Sequence, residues 1–448
     1  MENIKHIFFI GIGGIGMSAL ARYFHKKGIT VSGYDKTPSV LTRQLEKEGM
    51  NIHYTDDPGL LDGSIDYVVF TPAIPKEHNE LNYFIQKGVK IAKRAEVLGL
   101  ISRNATCLAV AGTHGKTTTT TLLAHILKSS GVDCTAFLGG IAVNYNTNYM
   151  EGNSSVVVVE ADEYDRSFLH LHPSGIIITA MDPDHLEIYG DAENMRKSYN
   201  EFVNQAQPNG KVIYNDGLPV KMNKNIFTST YGLEKGKNQA KNIRVENGYF
   251  VFDYCGEKAN IDHLKFAMPG RHNVSNATAA ISLALEFGAT EEGIRKALEG
   301  FKGIKRRFEI ILREEGKVMI DDYAHHPEEL KAAIHAAHEL FPGKKITGVF
   351  QPHLFSRTRD FANEFAQVLD QLDEAILLDI YPARELPIEG VTSQLLLDKM
   401  KLVKKKRLTK EELIKEAGNN NWEVVLMMGA GDIDGLPEPV KKEWLNKK

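Results

Sequence analysis

Short apolar stretches recur along the chain, and most of them end at a glycine, an acid or a histidine. Residues 4–10 read as a buried strand, 17–27 as a helix and 29–34 as a second strand. The alternation continues with a strand at 65–70, a helix at 80–87 and a short strand at 89–92. A second series opens with a strand at 106–111 and a helix-like run at 122–128. Strands at 156–159, 175–179 and 211–214 follow, and the unbroken valines of 156–159 are typical of a strand buried on both faces. Between 226 and 263 the apolar segments shorten and alternate, as in Tyr249-Phe-Val-Phe252, which predicts antiparallel strands. After Met268 an alanine-rich helix runs to about residue 287. A third series has strands at 309–312, 318–322, 345–350, 374–379 and 424–428, with a helix at 328–340. Strand, helix and strand in succession argue for α/β layers, three times over, divided at 1–104, 105–303 and 304–448. The last division falls at the basic link Gly303-Ile-Lys-Arg-Arg-Phe308.

Length agrees with several cores, since 448 residues exceed what one hydrophobic core usually supports. Hydrophobic residues at 42% and charged residues at 25% are an ordinary soluble mixture. A formal net charge of −4 offers no electrostatic case for a nucleic acid or an anionic membrane as partner. The basic run Lys404-Lys-Lys-Arg407 fits a solvated face. Cys107, Cys134 and Cys255 are far apart and odd in number, with no metal spacing or disulfide framework, which fits a reducing compartment. The N-terminal residues reach a glycine cluster without the apolar core of a signal peptide, and no stretch is long and apolar enough to span a bilayer. A cytoplasmic protein is expected, as a monomer or weak homodimer.

Candidate chemistry sits where the apolar stretches stop. Gly11-Ile-Gly-Gly-Ile-Gly16 matches G-x-G-x-x-G between a strand and a helix, and Asp35 ends the next strand. That is the dinucleotide fingerprint, with Gly11, Gly13, Gly14, Ile15 and Gly16 at a diphosphate and Asp35 at a ribose hydroxyl. Its physical task is to hold a diphosphate on a helix N-terminus, so a UDP-sugar meets the requirement as well as NAD does. Thr71-Pro-Ala-Ile74 follows another strand, where both a plain turn and a ligand loop with Thr71 and Ala73 fit. Gly112-Thr-His-Gly-Lys-Thr-Thr118 joins the strand at 106–111 to a helix and makes a phosphate cradle. Backbone N–H groups of Gly112, Thr113, His114 and Gly115 approach phosphates, Lys116 reaches the β- and γ-phosphates, and Thr117, followed by Thr118, offers a hydroxyl to Mg²⁺. The usual first glycine is Val110 here, so this is the shorter Gly-x-x-Gly-Lys-Thr form. Glu160, just past the valine strand, suits a metal-holding carboxylate. Asp184 and His185 follow the strand at 175–179, which makes His185 a candidate second-metal ligand. Asn276 fits a helix-start polar residue or an amide facing a base or phosphate. The expected fold is thus a Rossmann-like N-terminal domain, a central P-loop ATPase-type α/β domain and a C-terminal Rossmann-like α/β domain. The central sheet is expected to be mostly parallel, with a small antiparallel sheet beside it.

The ordered set of motifs resembles the Mur ligases over essentially the whole chain. It comprises Gly-Ile-Gly-Gly-Ile-Gly-Met-Ser, Gly-Thr-His-Gly-Lys-Thr-Thr, Glu-Ala-Asp-Glu, Asp-Pro-Asp-His-Leu, Gly-Arg-His-Asn, Arg-Arg-Phe, Asp-Asp-Tyr-Ala-His-His-Pro and Phe-Gln-Pro-His. The resemblance implies a UDP-substrate domain, an ATP-binding domain and an amino-acid-binding domain. It implies that ATP and Mg²⁺ serve to join L-alanine to the lactyl carboxylate of UDP-N-acetylmuramate through an acyl phosphate, giving ADP and phosphate. By the same resemblance Lys116, Glu160, His185, His353 and Arg357 are catalytic, and Asn276, Arg307 and Asp322 contact ATP. Thr117, Glu160 and His185 would hold metal, and Arg357 is a candidate for the alanine carboxylate. In the alanine-adding members an arginine often follows the histidine of Gln-Pro-His; Leu354 stands there in this chain.

Three other readings compete. A ligase that recycles a murein tripeptide shares the phosphate loop and the Asp-Asp-x-Ala-His-His-Pro motif, while Gln351-Pro-His-Leu-Phe-Ser-Arg-Thr-Arg359 favours the single-amino-acid enzyme. An NAD-dependent dehydrogenase rests on residues 11–16 alone and leaves the phosphate loop unexplained. A non-catalytic ATP-driven binding module leaves the acids and histidines unexplained.

Overall fold

The computed structural model describes residues 4–61, 63–183, 186–222, 226–246, 248–314, 316–383 and 385–446. The first sheet has five strands in the order Asn51–His53, Thr30–Tyr34, His6–Ile10, Tyr67–Phe70 and Lys90–Lys93, all parallel. Alternate residues of the His6–Ile10 strand serve two cores: Phe8 and Ile10 pack with Tyr34, Val68 and Phe84, while Ile7 and Phe9 pack with Val31 and Val69. Covering both faces in this way is what a parallel sheet requires. Strand order reverses at His6–Ile10, which opens a ligand crevice at its C-terminal end.

The second sheet has ten strands. Its parallel centre runs Lys211–Asn215, Pro173–Ile178, Thr106–Ala111, Val156–Glu160 and Thr135–Ala142. Thr147–Met150 pairs antiparallel at one edge. Beyond Lys211–Asn215 the order continues with Phe227–Gly232, which joins in parallel, then Asn238–Glu246, Tyr249–Cys255 and Asn260–Phe266. The short alternating segments therefore extend the main sheet. The open N–H and C=O groups of the Lys211–Asn215 edge are the physical invitation to do so.

The helix Lys116–Ser129 begins with five threonines, residues with modest helix propensity. All five are buried, and the hydroxyls of Thr120 and Thr121 donate to the carbonyls of Lys116 and Thr117 one turn back. Such a helix draws its stability from burial on all sides more than from propensity.

The third sheet runs Glu309–Glu314, Lys317–Asp322, Val424–Met428, Ile346–Phe350, Glu374–Leu377 and Lys405–Arg407. Only the first pair is antiparallel. Its last strand was not evident from hydrophobic pattern, because it is the basic run. Lys406 pairs with Glu416 at 2.7 Å and Glu374 at 3.6 Å, and Arg407 with Asp379 at 2.8 Å. A charged edge strand of this kind resists further strand addition.

The chain divides into two compact units, Met1–Asn242 with Phe252–Leu264 and Ser275–Phe301, and Ile243–Val251 with Lys265–Val274 and Lys302–Lys448. In the first unit one core is continuous from Ile7 of the first sheet to Val212 of the second. Arg22, 4% exposed on the helix Ile15–Lys26, reinforces that join by bonding both Glu48 and Asn148. Asn148 in turn donates to Ser18 Oγ at 2.9 Å and to the Ile15 carbonyl. Among the described residues no helix is long and apolar enough to cross a membrane.

Candidate active site

The glycine loop leaves the His6–Ile10 strand and enters the helix Ile15–Lys26. Gly11 turns the chain at φ 85°, and its N–H donates to the Tyr34 carbonyl at 2.7 Å. Gly14 is the residue before the helix, so the N–H groups of Ile15 and Gly16 point out of its first turn. Asp35 stands where the fingerprint requires. Its Oδ2 accepts the Gly13 N–H at 2.8 Å and its Oδ1 the Thr37 N–H at 3.2 Å, so the carboxylate fixes the loop. A Cβ at Gly13 would lie 2.8 Å from that carboxylate, and one at Gly16 would lie 2.8 Å from the Arg94 guanidinium. The glycines thus admit close approach of charged groups to the backbone.

The phosphate loop leaves the Thr106–Ala111 strand. Gly112 has φ 137° and Gly115 φ 79°, the second immediately before the helix Lys116–Ser129. A Cβ at Gly112 would sit 2.1 Å from Thr179 Oγ1, and one at Gly115 would sit 2.5 Å from Asn276 Oδ1. Asn276 therefore lies against the loop, on the helix Arg271–Glu286. Thr113 N–H donates to the Ala180 carbonyl at 3.3 Å, its hydroxyl accepts the Asp182 N–H at 3.2 Å, and the His114 carbonyl accepts from Thr179 Oγ1. His114 Nε2 is 3.8 Å from Asp182. Thr117 and Thr118 fill the first helical turn, both buried.

Lys116 Nζ bonds the Gly112 carbonyl at 2.8 Å and Glu163 Oε1 at 2.7 Å. Burial works to lower its pKa, but Glu163, Asp162 and Glu160 outweigh that and hold the ammonium above its ordinary range. Glu160 ends the Val156–Glu160 strand, and its carboxylate packs against Gly139 of the neighbouring strand. A hydroxyl at Thr117 and a carboxylate at Glu160 are hard oxygen donors of the kind Mg²⁺ takes, so the residues fit that ion.

A cavity of about 320 Å³ lies between the first glycine loop and the end of the Val156–Glu160 strand. Gly14, Ile15, Gly16, Thr71 and Ala73 line it from the first sheet, and Gly139, Glu160 and Asp162 from the second. The Thr71-Pro-Ala-Ile74 turn is therefore part of a cleft. Arg94 also lines it and pairs with Asp162 Oδ2 at 3.2 Å. His185 and Asp184 lie outside the described residues.

The remaining candidates belong to the second unit and form their own cluster. Asp322 ends the Lys317–Asp322 strand, its Oδ2 accepting the Phe308 N–H and its Oδ1 the Ala324 N–H, each at 2.7 Å. The Arg307 guanidinium lies over the Tyr323 ring at 5.1 Å. Burial pushes Asp321 up to about 7 and Asp322 up to about 6, although Arg306 and Arg307 oppose it. His353 stacks on Tyr381 at 5.7 Å and meets His325 edge-on at 5.8 Å, which links it to the Asp-Asp-Tyr-Ala-His-His-Pro segment. Arg357 sits on the short helix Phe355–Asp360. Leu354, just before that helix, has φ 71° and ψ 136°, a strained conformation for a branched side chain.

Sequence reasoning missed Arg94, Glu163 and Gly139. Arg94 follows the Lys90–Lys93 strand, so the same strand-end rule that found Asp35 would have found it. Glu163 lies inside the Glu-Ala-Asp-Glu motif, yet nothing in the motif says which acid meets the lysine. Gly139 carries no signal at all without its neighbouring strand.

Comparison with known proteins gives matches along most of the chain. Models described as the Mur ligase family catalytic domain, the Mur ligase middle domain and the Mur ligase glutamate ligase domain match residues 6–106, 110–284 and 306–431. The UDP-N-acetylmuramate–L-alanine ligase of Flavobacterium psychrophilum is 50% identical over 454 residues, covering 99% of each chain. That of Porphyromonas gingivalis is 49% identical, covering 98% of this chain and 99% of its own. The solved UDP-N-acetylmuramate–alanine ligase of Thermotoga maritima superposes with a TM-score of 0.85 at 29% identity, covering 99% of this chain and 100% of that one. A murein peptide ligase from Psychrobacter arcticus shares the fold, with a TM-score of 0.73 at 24% identity and 99% coverage of both chains. With three successive domain matches and full-length relatives at half identity, the chain belongs to the Mur ligase family.

Proposed function

We propose that this Mur ligase uses ATP to join L-alanine to the lactyl carboxylate of UDP-N-acetylmuramate, giving UDP-N-acetylmuramoyl-L-alanine, ADP and phosphate. The observation that carries the reading is the cavity in which the diphosphate-type loop Gly14–Gly16 faces Glu160, the same acid whose charge acts on Lys116 of the phosphate loop. A UDP-sugar held by its diphosphate on the N-terminus of the helix Ile15–Lys26 then extends its sugar toward the γ-phosphate of ATP. The full-length similarity to alanine ligases supports the amino acid.

A free carboxylate does not acylate an amine, so activation comes first. The lactyl carboxylate attacks the γ-phosphorus, ADP leaves, and an acyl phosphate forms. The amine of alanine then attacks the acyl carbonyl and phosphate departs. Backbone N–H groups of Gly112 to Gly115 cradle the phosphates, and Lys116 neutralises charge spreading over the transferring group. Mg²⁺, held by Thr117 and Glu160 with His185 as the candidate ligand of a second ion, supplies further charge neutralisation when bound. Asn276, next to Gly115, suits the nucleotide. The family resemblance assigns Arg307 and Asp322 to ATP, and His353 and Arg357 to the alanine. ATP and nucleotide-sugar substrates fit a cytoplasmic enzyme.

Phosphate release is expected only when ATP, UDP-N-acetylmuramate and L-alanine are all present. Equal or faster turnover with a murein tripeptide would replace alanine as the substrate. NADH binding without any ATPase activity would overturn the ligase reading. Lys116→Ala is expected to lower kcat by about 10³-fold while UDP-N-acetylmuramate still binds, as measured by calorimetry.

A further inference from the structure

Lys116 has an anionic partner within the fold. Its Nζ lies 2.7 Å from Glu163 Oε1, and Glu163 is 1% exposed. The other oxygen, Oε2, is buried with no hydrogen-bond partner among the described residues. The backbone around Glu163 is arranged to keep it there. Tyr189 Oη donates to its carbonyl at 2.5 Å. Asp165 and Arg166 follow with φ 52° and 53°, two consecutive left-handed residues that turn the chain sharply. An ammonium bonds carboxylate and phosphate oxygens in the same charge-assisted way. The Gly112 carbonyl and Glu163 engage two of the three N–H donors of Nζ, so a triphosphate that draws on more than the third competes with Glu163.

We propose that Glu163 is a positioning residue that holds Lys116 in the phosphate loop before ATP arrives and surrenders it to the triphosphate. The proposal rests on the reading of this loop as the ATP site. The exchange swaps one hydrogen-bond acceptor for another and changes no covalent bond. Two effects follow. The lysine stays extended inside the loop, aimed along the path the phosphates will take. Apparent affinity for ATP is also reduced by the fraction of enzyme in which the lysine is still engaged. Asp165 provides an internal comparison, because it carries the same charge two residues away but pairs with Lys93.

The test is calorimetric binding of β,γ-imido-ATP with Mg²⁺ to the wild-type enzyme and to the Glu163→Gln and Asp165→Asn variants, with kcat measured in parallel. E163Q is expected to bind the analogue about 3- to 10-fold more tightly, with a lower kcat because nothing guides the lysine. D165N is expected to stay within about twofold of wild type. A residue that merely supports the fold would weaken binding when altered. Unchanged or weaker binding by folded E163Q overturns the proposal. So does equal tightening in D165N, which would make the effect one of bulk charge. Should E163Q not fold, Glu163→Asp withdraws the carboxylate by one methylene, and the same tightening is expected; its absence overturns the proposal. A wild-type enzyme that binds no analogue defeats the ATP reading itself, an outcome distinct from normal wild-type binding with no gain in E163Q.

Discussion

At the scale of single residues, the site depends on the positions that have no side chain. A Cβ on Gly139 would lie 2.1 Å from Glu160 Oε2 and 2.4 Å from its Cδ. Gly139 has no left-handed φ, so the requirement is one of space. The Glu160 carboxylate, as the mobile partner, would swing away. Gly139→Ala is therefore expected to fold normally and to raise the Mg²⁺ concentration needed for phosphate release by about 10- to 100-fold. An unchanged Mg²⁺ titration would detach Glu160 from the metal. The sequence shows a glycine at 139 and an acid at 160, but their contact comes from adjacent parallel strands, and no local pattern announces it.

At the scale of elements, function gathers at strand C-termini. Asp35, Thr71, Arg94, the phosphate loop, Glu160 and Asp322 all end or immediately follow parallel strands. There the backbone stops pairing and side chains face a crevice. The strand Lys317–Asp322 ends in two acids with opposite degrees of support. Asp322 accepts two backbone N–H groups, whereas Asp321 has Arg306 at 3.2 Å on Oδ2 and no partner among the described residues for Oδ1. An aspartate in an unfolded chain titrates near 4. Burial raises Asp321 to about 7, so between these values the folded protein holds a proton that the unfolded chain has lost. Stability contributed by that proton is complete below about pH 4 and is lost as pH rises through about 7. Asp321→Asn keeps an acceptor for Arg306 and removes the titration. Its stability relative to wild type is expected to improve by about 4 kcal/mol between pH 4 and pH 8, read from urea unfolding. A difference that does not vary with pH would show that Asp321 keeps an ordinary pKa.

At the scale of the whole molecule, the first unit carries two nucleotide-type loops on one continuous core, and a cavity runs from the first of them to Glu160. Arg94 spans that cavity, with its guanidinium against Gly16 and on Asp162. Arg94→Ala is expected to raise KM for UDP-N-acetylmuramate by about 10- to 100-fold, the worth of a charge-assisted contact to a diphosphate, and to change KM for ATP much less. Equal effects on both substrates would mean that Arg94 only braces the join between the sheets. The third-sheet unit holds its own cluster, in which His325 links Tyr323 to His353.

Much of this protein was legible in the sequence because parallel α/β layers write their strands as apolar runs and their sites as glycines and acids just beyond. The order of elements, both loops, Asp35 and Glu160 follow from that local rule. The basic edge strand Lys405–Arg407 escaped it because its residues are polar and its place depends on Glu374, Asp379 and Glu416 from elsewhere in the chain. The sequence by itself determined which residues stand at strand ends. Only the tertiary structure decided which acid meets Lys116, which arginine approaches Gly16 and which glycine makes room for Glu160. Periodicity acts over a few residues of one segment, whereas a charge chooses its partner across the space between segments.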